Sequence, residues 1–559
     1  MSVLLNCVLL FPAAGAVLLL AFPRERTAAI RGLALATTIA TLALSLILPF
    51  GFQSDSAGMQ FETNRSWITS PPIRYHIGVD GISLFLVLLV TFLSVFCVLI
   101  SWRAVDQHVK EFFFFLLLLE TGSIGVFLAL DLFLFYVFWE GTLVPMYFLI
   151  GIWGHERRIY AAIKFFLFTM FGSVLMLVAI LWLYKVFGTF DYLAILREIA
   201  SGSQVLSASQ QIWLFLAFFA AFAIKVPLFP LHTWLPDAHV EAPTAGSVML
   251  AGVLLKMGTY GLLRFCLPLF PDAAHALADS VILLALIGIV YGSLVAMVQP
   301  DLKKLIAYSS VAHLGLVVLG IFSFNQIAVE GAVYQMLNHG VSTGALFLLV
   351  GMIYERRHSR LIADLGGLAT PAPLLATFFL ITTLSSIGLP LLNNFVGEFL
   401  ILAGVLQERT LYAVIAATGV VLSTAYMLWM YQRVFLGEAA PVNQRFLDLD
   451  RRELTILIPA VSLMLLMGVA SPLFLRKMDA SSALLLEHAG RRETRVRNTV
   501  PRNIKELPIF PGAPTPRRKL TNGDAGKFRT EILRQRQCQK PASAFAVKRR
   551  RKESCQSEI

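Results

Sequence analysis

Cysteine is scarce in this sequence, and no two cysteines have the spacing of a cofactor site. No CxxC pair is formed by the five cysteines, which are Cys7, Cys97, Cys266, Cys538 and Cys555. This spacing argues against a disulfide framework, a zinc site and an iron–sulfur site. The nucleotide-binding signatures GxGxxG and Walker A are also missing. We therefore expect the chain to bind no dinucleotide and to hold no redox cofactor.

Charged residues are few, and long apolar runs take their place. Only 14% of the 559 residues are charged, 57% are hydrophobic, and the mean hydropathy is +0.73. These values are typical of a protein that crosses a membrane many times. We predict an all-α polytopic membrane protein that forms one large helical bundle. The first apolar run, residues 3–22, has no A-x-A-like cleavage site after it, and we interpret it as a retained span.

About fourteen membrane spans are predicted, because each run approaches the 20 or so residues that a bilayer requires. They lie near residues 3–22, 28–48, 81–101, 112–130, 132–152, 160–186, 212–231, 245–267, 278–298, 303–322, 328–353, 373–404, 411–435 and 454–475. Lysine and arginine number 16 in the loops on one side and 6 on the other. The positive-inside rule makes the first side cytoplasmic and places the N-terminus outside.

The net charge of +12 comes entirely from the C-terminal region. Residues 477–559 contain 20 Lys and Arg against 8 Asp and Glu. This region has prolines and few apolar runs, so we predict a basic, disordered tail that begins at residue 477. Two origins stay open, namely an extension that binds anionic lipid and the translation of a shifted reading frame.

Two lysines lie inside membrane-length apolar runs, and one is followed by helix-breaking prolines. Lys225 precedes Pro227 and Pro230 in the seventh span, and Lys256 lies near the middle of the eighth. A charged side chain at the bilayer centre costs about 3 kcal/mol or more, so such residues are usually functional. Broken helices with buried ionisable groups are typical of proteins that move ions. The alternative is that both lysines extend to the membrane surface from helix ends.

The twelfth span repeats this pattern. Gly388 and Pro390 break its apolar run, and Glu398 follows the break. Because the two broken spans lie five apart, they would have opposite orientations, which is the pattern of inverted five-helix repeats. Chance is the alternative, since prolines are common in membrane helices. The predicted domains are N-terminal helices over 1–111, repeats over 112–267 and 278–435, a last helix over 454–476 and the tail over 477–559.

Three further side chains are candidates for proton transfer. Glu140 has no charged neighbour within eight residues on either side, and a nearby Lys225 would make the charge of each depend on the other. His313 and His339 lie on adjacent spans, where neutral imidazole can pass protons at little cost. The alternatives are a protonated glutamate with one interhelical hydrogen bond and two ordinary core histidines.

Other polar residues are left outside this set. Glu120 lies in the middle of a span, where a pathway and a local hydrogen bond are equally open. Lys164 lies near a helix end, and Lys303 and Lys304 at the start of a span are expected to be cytoplasmic anchors. We do not expect a metal site at one more polar cluster, because its spacing matches no metal-binding motif. The cluster contains His232, Asp237, His239 and Glu241.

Three segments resemble one protein family closely. They read PLHTWLPDAHVEAPTAGSVMLAGVLLKMGTYGLLRF, FYVFWEGTLVPMYFLIGIWG and NNFVGEFLIL. The chain is similar, up to about residue 475, to subunit M of the proton-pumping NADH–quinone oxidoreductase, respiratory complex I. The resemblance implies an antiporter-like subunit in a bacterial inner (plasma) membrane, in contact with lipid, protons, sister antiporter-like subunits and other membrane-arm subunits, and without nucleic acid. It also implies that NADH, FMN, iron–sulfur clusters and quinone are bound by other subunits.

The resemblance further implies roles for individual residues. Glu140 and Lys225 would form a modulating pair, Lys256 would be the central relay and Glu398 the terminal site. The histidines implied along the hydrated axis are His313, His339 and, near the broken helix, His232. A glutamate at position 398 favours subunit M over its sister subunits, which have a lysine there.

Two other functions stay open from the residues themselves. A subunit of a multisubunit cation/proton antiporter would use the same lysines and glutamates, and a structural spacer would move no protons. The segment TWLPDAHVEAPTAGSV and Glu398 argue against the antiporter. A spacer would not need the buried ionisable groups.

Overall fold

Eighteen helices and one β-hairpin make up the part of the chain that the computed structural model describes, residues 1–203 and 206–490. The first half contains α1 (Ser2–Leu20), α2 (Thr27–Gly51), β1 (Gln60–Ile68), β2 (Ile73–Val79), α3 (Gly81–Ala104), α4 (Val109–Leu128), α5 (Leu132–Trp153), α6 (Arg158–Phe187), α7 (Tyr192–Ser201), α8 (Ala208–Lys225), α9 (Trp234–Glu241) and α10 (Thr244–Leu269). The second half contains α11 (Pro271–Met297), α12 (Leu302–Phe322), α13 (Gln326–Arg357), α14 (Pro373–Ser386), α15 (Asn393–Glu408), α16 (Thr410–Phe435), α17 (Arg451–Val469) and α18 (Pro472–Ala489). Thirteen of the described helices are long and apolar enough to cross a membrane, which confirms the polytopic helical class.

Acidic and amide side chains begin many of these helices. Asp80, Asp131 and Asp191 accept hydrogen bonds from the first backbone N–H groups of α3, α5 and α7. Asp301 and Asn325 do the same for α12 and α13. The first N–H groups of a helix have no partner within it, and hydrocarbon offers none. These caps therefore fix where the helices begin.

Proline interrupts the seventh predicted span, and nearby groups satisfy the backbone that it frees. Pro227 has no N–H, so the carbonyl of Ala223 accepts from the N–H of Leu228 instead, at 2.8 Å. The indole of Trp234 donates to the carbonyl of Ile224 at 2.9 Å. Residues 226–233, called the first break below, thus separate α8 from α9 without unsatisfied carbonyls at these two positions.

The twelfth predicted span is two short helices rather than one long one. α14 and α15 are separated by residues 387–392, called the second break below. Gly388 has φ +74°, which favours glycine, and the N–H of Leu389 donates to the carbonyl of Leu384 at 3.0 Å. The relation of the two halves by inverted symmetry stays a prediction.

The loop between α2 and α3 contains a β-hairpin, which the sequence analysis did not anticipate. β1 and β2 pair antiparallel, with Thr63 opposite Ile77 and Arg65 opposite Tyr75. β2 is mostly buried and β1 is mostly exposed. The carbonyl of His76 accepts from the N–H of Leu130, so the hairpin is joined to the turn between α4 and α5. The side of the bundle that carries these strands is called the hairpin face below.

The end of the chain differs from the prediction in two ways. The last membrane helix ends at Val469, and residues 472–489 form a further helix, α18. The prediction of a disordered tail from residue 477 is therefore wrong as far as Ala489. Residues 491–559, the rest of that tail, lie outside the described part of the chain.

α18 packs into the bundle instead of leaving it. The Oγ of Ser481 accepts from the N–H of Gly81 at 3.0 Å. A Cβ at Gly81 would lie 1.8 Å from the carbonyl oxygen of Lys477, so only glycine permits this approach. Met478 and Leu485 are buried on the same helix. The contact fixes α18 against the N-terminus of α3.

Candidate functional site

Lys256 lies fully buried in α10, between two turns of π-helix. The π-helical turns span Leu250–Leu254 and Leu262–Cys266. The ammonium of Lys256 contacts Nδ1 of His339 at 2.6 Å and donates to the carbonyl of Ala251. π-helical turns occur frequently at functional sites, because they shift the helix register locally. The structure thus places two of the predicted residues, on α10 and α13, in direct contact.

A second contact continues from this pair on α12 and α15. The imidazole rings of His339 and His313 have centroids 5.8 Å apart. Nδ1 of His313 lies 3.0 Å from Oε1 of Glu398, and all three side chains are buried. We call Lys256, His339, His313 and Glu398 the central polar row. Four of the predicted site residues therefore form one continuous series.

The carboxylate of Glu398 is held by several neighbours. Its Oε1 also accepts from Nε2 of Gln335 at 3.1 Å, and Gln335 accepts from Asn338 at 3.2 Å. A Cβ at Gly388 would lie 2.9 Å from Oε2, so the second break leaves space for this oxygen. His313 and Glu398 also line a small pocket of about 20 Å³. The pocket gives this end of the row space for water.

Polar atoms without partners recur along the central polar row. Nε2 of His339, Nε2 of His313 and Oδ1 of Asn338 have no hydrogen-bond partner among the described residues. Oδ1 of Asn394, on the adjacent helix α15, is in the same condition within the described chain. Buried polar atoms of this kind usually bind ordered water. The row can therefore hold water molecules between its side chains.

Lys225 and Glu140 form a separate site at the first break. Lys225 is the last residue of α8 and is 1% exposed, with its ammonium 5.1 Å from the centre of the Trp139 ring. Glu140 is adjacent to Trp139 on α5 and interacts electrostatically with Lys225. Oε1 of Glu140 is buried and has no hydrogen-bond partner in the described chain. Lys225 therefore lies near enough to Glu140 for their charges to interact, although the two side chains do not form a direct ion pair among the described residues.

Backbone packing connects this site with α10, the helix that carries Lys256. A Cβ at Gly258 would lie 2.8 Å from the carbonyl oxygen of Phe222 and 2.9 Å from the nitrogen of Val226. Gly258 is two residues from Lys256, and Val226 follows Lys225 directly. The helices that carry the two lysines are thus in close contact at the level of the first break.

His232 lies within the first break, among aromatic rings. Its imidazole stacks on Phe229 at 5.7 Å and meets Tyr291 edge-on at 5.3 Å, measured between ring centres. Nearby, Lys164 and Asp237 form an ion pair at 2.6 Å that ties α6 to α9. Lys164 therefore has a partly exposed partner on α9.

Sequence reasoning missed two residues of this region. His239 on α9 is fully buried against Phe347, and the described part of the chain offers no hydrogen-bond partner to either ring nitrogen. Lys303 is 1% exposed and donates to the carbonyl of Ala242 at 2.8 Å. The expectation that Lys303 anchors the membrane surface is therefore wrong, because its side chain points into the bundle. A lysine at the start of an apolar run gives no sequence signal that separates the two cases.

Positive charge collects near Lys303, at the face opposite the hairpin. Burial lowers the pKa of His155, in the turn between α5 and α6, to about 3, and the charges of Lys303 and Arg360 act in the same direction. His155 is therefore neutral at physiological pH.

Glu120, whose role the sequence left open, is fully buried in α4 beside Ser94 of α3.

Over residues 1–203 and 206–490, no three His, Cys, Asp or Glu side chains are placed to hold a metal ion. The central polar row instead contains one base, two imidazoles and one acid in that order. Such a series can pass protons.

The fold and the buried row together define a polytopic membrane protein with two broken helices and ionisable groups at mid-membrane. The family described as NADH:quinone oxidoreductase/Mrp antiporter, TM, matches residues 129–423. NADH-quinone oxidoreductase subunit M of Rhodobacter capsulatus is 47% identical to this chain, covering 87% of the chain and 97% of that protein. The chain belongs to the NADH-quinone oxidoreductase subunit M family.

Solved structures agree with this assignment. A chain of respiratory complex I from Thermus thermophilus is 32% identical, with a TM-score of 0.79, and the match covers 87% of this chain and 100% of that one. A chain of the Mrp complex from Dietzia has a TM-score of 0.74 at 21% identity, with 87% and 99% covered, which shows a shared fold. The family expected from the motifs is therefore confirmed.

Proposed function

We propose that the central polar row carries protons within the membrane arm of an NADH–quinone oxidoreductase, and that Glu140 and Lys225 control the charge of Lys256. The observation that supports this most is the unbroken series of contacts from Lys256 to Glu398. Four residues on four different helices meet in a bilayer-spanning bundle, where each buried charge is costly. A structural role would not require them to meet in one line.

Hydrogen-bond geometry gives the row a direction. An ammonium group has only donors, so Nδ1 of His339 accepts from Lys256 and the ring proton lies on Nε2. A carboxylate only accepts, so Nδ1 of His313 donates to Glu398 and its Nε2 has a free lone pair. One water between the two Nε2 atoms would join a donor to an acceptor. Release of a proton by Lys256 would then lead, through both rings, to Glu398.

Glu140 and Lys225 would bias the start of this transfer. Each partner stabilises the charged form of the other, and both lie next to Trp139. Separation of the pair would leave Lys225 positive without compensation, close to the helix that carries Lys256. Repulsion would then favour loss of the proton from Lys256. His232 lies in the same break and would move with it.

The rest of the catalytic machinery would lie on other subunits. NADH, FMN, iron–sulfur clusters and quinone would bind there, and this chain would contact other membrane-arm subunits, the sister antiporter-like subunits among them. The distribution of Lys and Arg supports an N-terminus outside a bacterial inner membrane.

Glu140 lies on the partly exposed face of α5, and its Oε1 has no hydrogen-bond partner among the described residues.

Reconstituted complex tests the proposal. Lys256→Ala should lower proton uptake by proteoliposomes by roughly a hundredfold, the lower end of what a positioned proton-transfer group contributes. Electron transfer from NADH to quinone in detergent, where no gradient opposes it, provides the assembly check. Lys185→Ala, at the exposed end of α6, is the matched control and should pump like the parent. Normal pumping by Lys256→Ala would refute the row.

The shared fold with an Mrp complex keeps one alternative open, a cation/proton antiporter. The two functions predict different dependence on electron transfer. Proton uptake that requires NADH and is insensitive to sodium supports the first proposal. Sodium-dependent proton movement without NADH would support the antiporter.

A further inference from the structure

Two further buried polar side chains of α10, Tyr260 and Arg264, lie between Lys256 and the hairpin face. Lys256, Tyr260 and Arg264 are spaced four residues apart along α10, which places them on one face of the helix. Arg264 lies about 12 Å along the helix from Lys256, at 1.5 Å per residue. Its guanidinium carbon is 5.3 Å from the centre of the Tyr260 ring. On this side of Lys256, the nearest charged group of the helix is thus the guanidinium of Arg264.

An ion pair lies on this side of Lys256. Arg264 donates to Oδ2 of Asp80 and to the hydroxyl of Tyr260, and both charged side chains are at most 6% exposed. The remaining Asp80 oxygen caps α3. The hydroxyl of Tyr260 donates to the carbonyl of Phe127, and Tyr192 donates to the carbonyl of Arg264. These contacts join α10 to α3, α4 and α7.

A pocket begins directly beyond this pair. Its volume is about 70 Å³, and it is lined by both charged residues, by the loop before β1 and by one face of α18. Its polar lining includes Asp80, Arg264, Tyr192 and Ser481. The Asp80–Arg264 pair thus separates a pocket on the hairpin face from the interior around Lys256.

The cluster differs from the central polar row in its hydrogen bonding. The row has unpartnered buried atoms on His339 and His313, and the neighbouring Asn338 has another, whereas none is found on Asp80, Tyr260 or Arg264 in the described chain. Water occupies places where buried polar atoms lack partners. A fixed arginine charge also repels protons, as it does in channels that exclude them. Arginine keeps its proton at all working pH, so it cannot pass one on.

We propose that the Asp80–Arg264 pair is a proton barrier, which prevents Lys256 from exchanging protons with the hairpin face and so directs them along the central polar row. This inference rests on the proposed function in one respect, the direction of useful transfer. The barrier itself is a property of passive conductance. The two can therefore fail separately.

Passive proton conductance of proteoliposomes tests the barrier. The complex is reconstituted without NADH, a potassium diffusion potential is imposed, and entry of protons is followed with a pH dye. Arg264→Gln should raise the conductance about tenfold, the effect of lowering a barrier by about 1.4 kcal/mol. Arg264→Lys keeps the charge and should stay tight. An unchanged conductance in Arg264→Gln would overturn the proposal.

A double variant covers the case in which Arg264→Gln fails to assemble because Asp80 is left unpaired. Asp80→Asn with Arg264→Gln removes both charges together, which buried pairs tolerate better than the loss of one. A double variant that assembles and keeps the low proton conductance of the parent would refute the barrier. Loss of NADH-driven pumping without any leak would also refute it, since the pair would then be an exit route.

Lys256→Ala separates the two proposals. Added to the leaky variant, it should remove the leak, and a leak that persists would overturn the claim that the barrier isolates Lys256. If Lys256→Ala alone pumps normally while Arg264→Gln leaks, the barrier stands and the proposed row fails. A tight Arg264→Gln variant beside a Lys256→Ala variant that does not pump gives the opposite result.

Discussion

Histidine geometry decides the chemistry of the central polar row. Each imidazole uses Nδ1 for its charged neighbour and leaves Nε2 toward the interior, where the described residues provide no partner. Both rings can change tautomer without a net change in charge, which is inexpensive in a low-dielectric interior. A lysine in either place would have to gain or lose a full charge at every step.

Glu140→Gln tests the modulating pair at the scale of one atom. Glutamine keeps the shape and the hydrogen bonding of the side chain but cannot ionise, so Lys225 would lose its countercharge. We expect proton pumping per NADH to fall by roughly tenfold or more, which is less than the hundredfold expected for a group that transfers the proton itself, because Glu140 acts through Lys225. Glu140→Asp should retain more activity, because it still titrates. Unimpaired pumping by Glu140→Gln would show that the pair has no controlling role.

His76 makes the hairpin sensitive to pH. Burial lowers the pKa of His76, but hydrogen bonds at 2.7 Å to Asp191 and 3.0 Å to Glu62, together with their charges, outweigh it and raise the pKa. Burial raises the pKa of Asp191, and its hydrogen bonds to His76 and Ala194 lower it further than that. Stabilisation by His76 is thus complete below its ordinary pKa of about 6.5 and is lost as pH rises through the raised value. Stabilisation by Asp191 is lost only as pH falls through its lowered value.

The difference in melting temperature between the parent and His76→Gln should follow this window. It should be largest in mildly acidic solution and should shrink as the pH rises past the raised pKa of His76. Thermal unfolding of the purified complex at a series of pH values measures it. His108→Asn, at an exposed turn, controls for the loss of a histidine. A difference that grows with pH would contradict the assigned charge state.

At the scale of the element, α18 is the part of the chain that departs most from expectation. Its sequence mixes charges with leucines, and its region carries the basic excess, so composition predicts a tail. Packing against α3 reverses this, because Gly81 lets the two backbones approach. The hairpin was missed for a similar reason, since β1 is polar and exposed and its pairing with β2 is set by the loop around it.

Two truncations distinguish α18 from the region after it. Removal of everything after Gly490 keeps α18 and should leave assembly and pumping unchanged. Removal of everything after Lys477 exposes the face of the bundle that covers Met478 and Leu485, at a cost of about 3 kcal/mol or more for two such side chains. That variant should melt several degrees lower and accumulate less complex in the membrane. Equal behaviour of the two truncations would mean that α18 contributes nothing to stability.

At the scale of the whole molecule, sequence predicts the site where a residue is anomalous in its surroundings. Lys225, Lys256 and Glu398 stand out because they lie in apolar runs, and the structure places the last two in one row. Lys303 does not stand out, since its position at a helix start is the ordinary place for lysine. The proton barrier was also hidden, because Asp80 and Arg264 lie 184 positions apart and each resembles a residue at a membrane surface.

The hairpin has a mechanical consequence for this arrangement. Backbone hydrogen bonds join β2 to the turn before α5, and the turn before α5 to the start of α7. The ends of α4, α5 and α7 on that side are therefore held together by hydrogen bonds and should move as one unit. The first break is the compliant element in this half, because it has no helical ladder to resist bending. A displacement that another subunit applied to this half of the chain would therefore bend it mainly at the first break, beside Lys225.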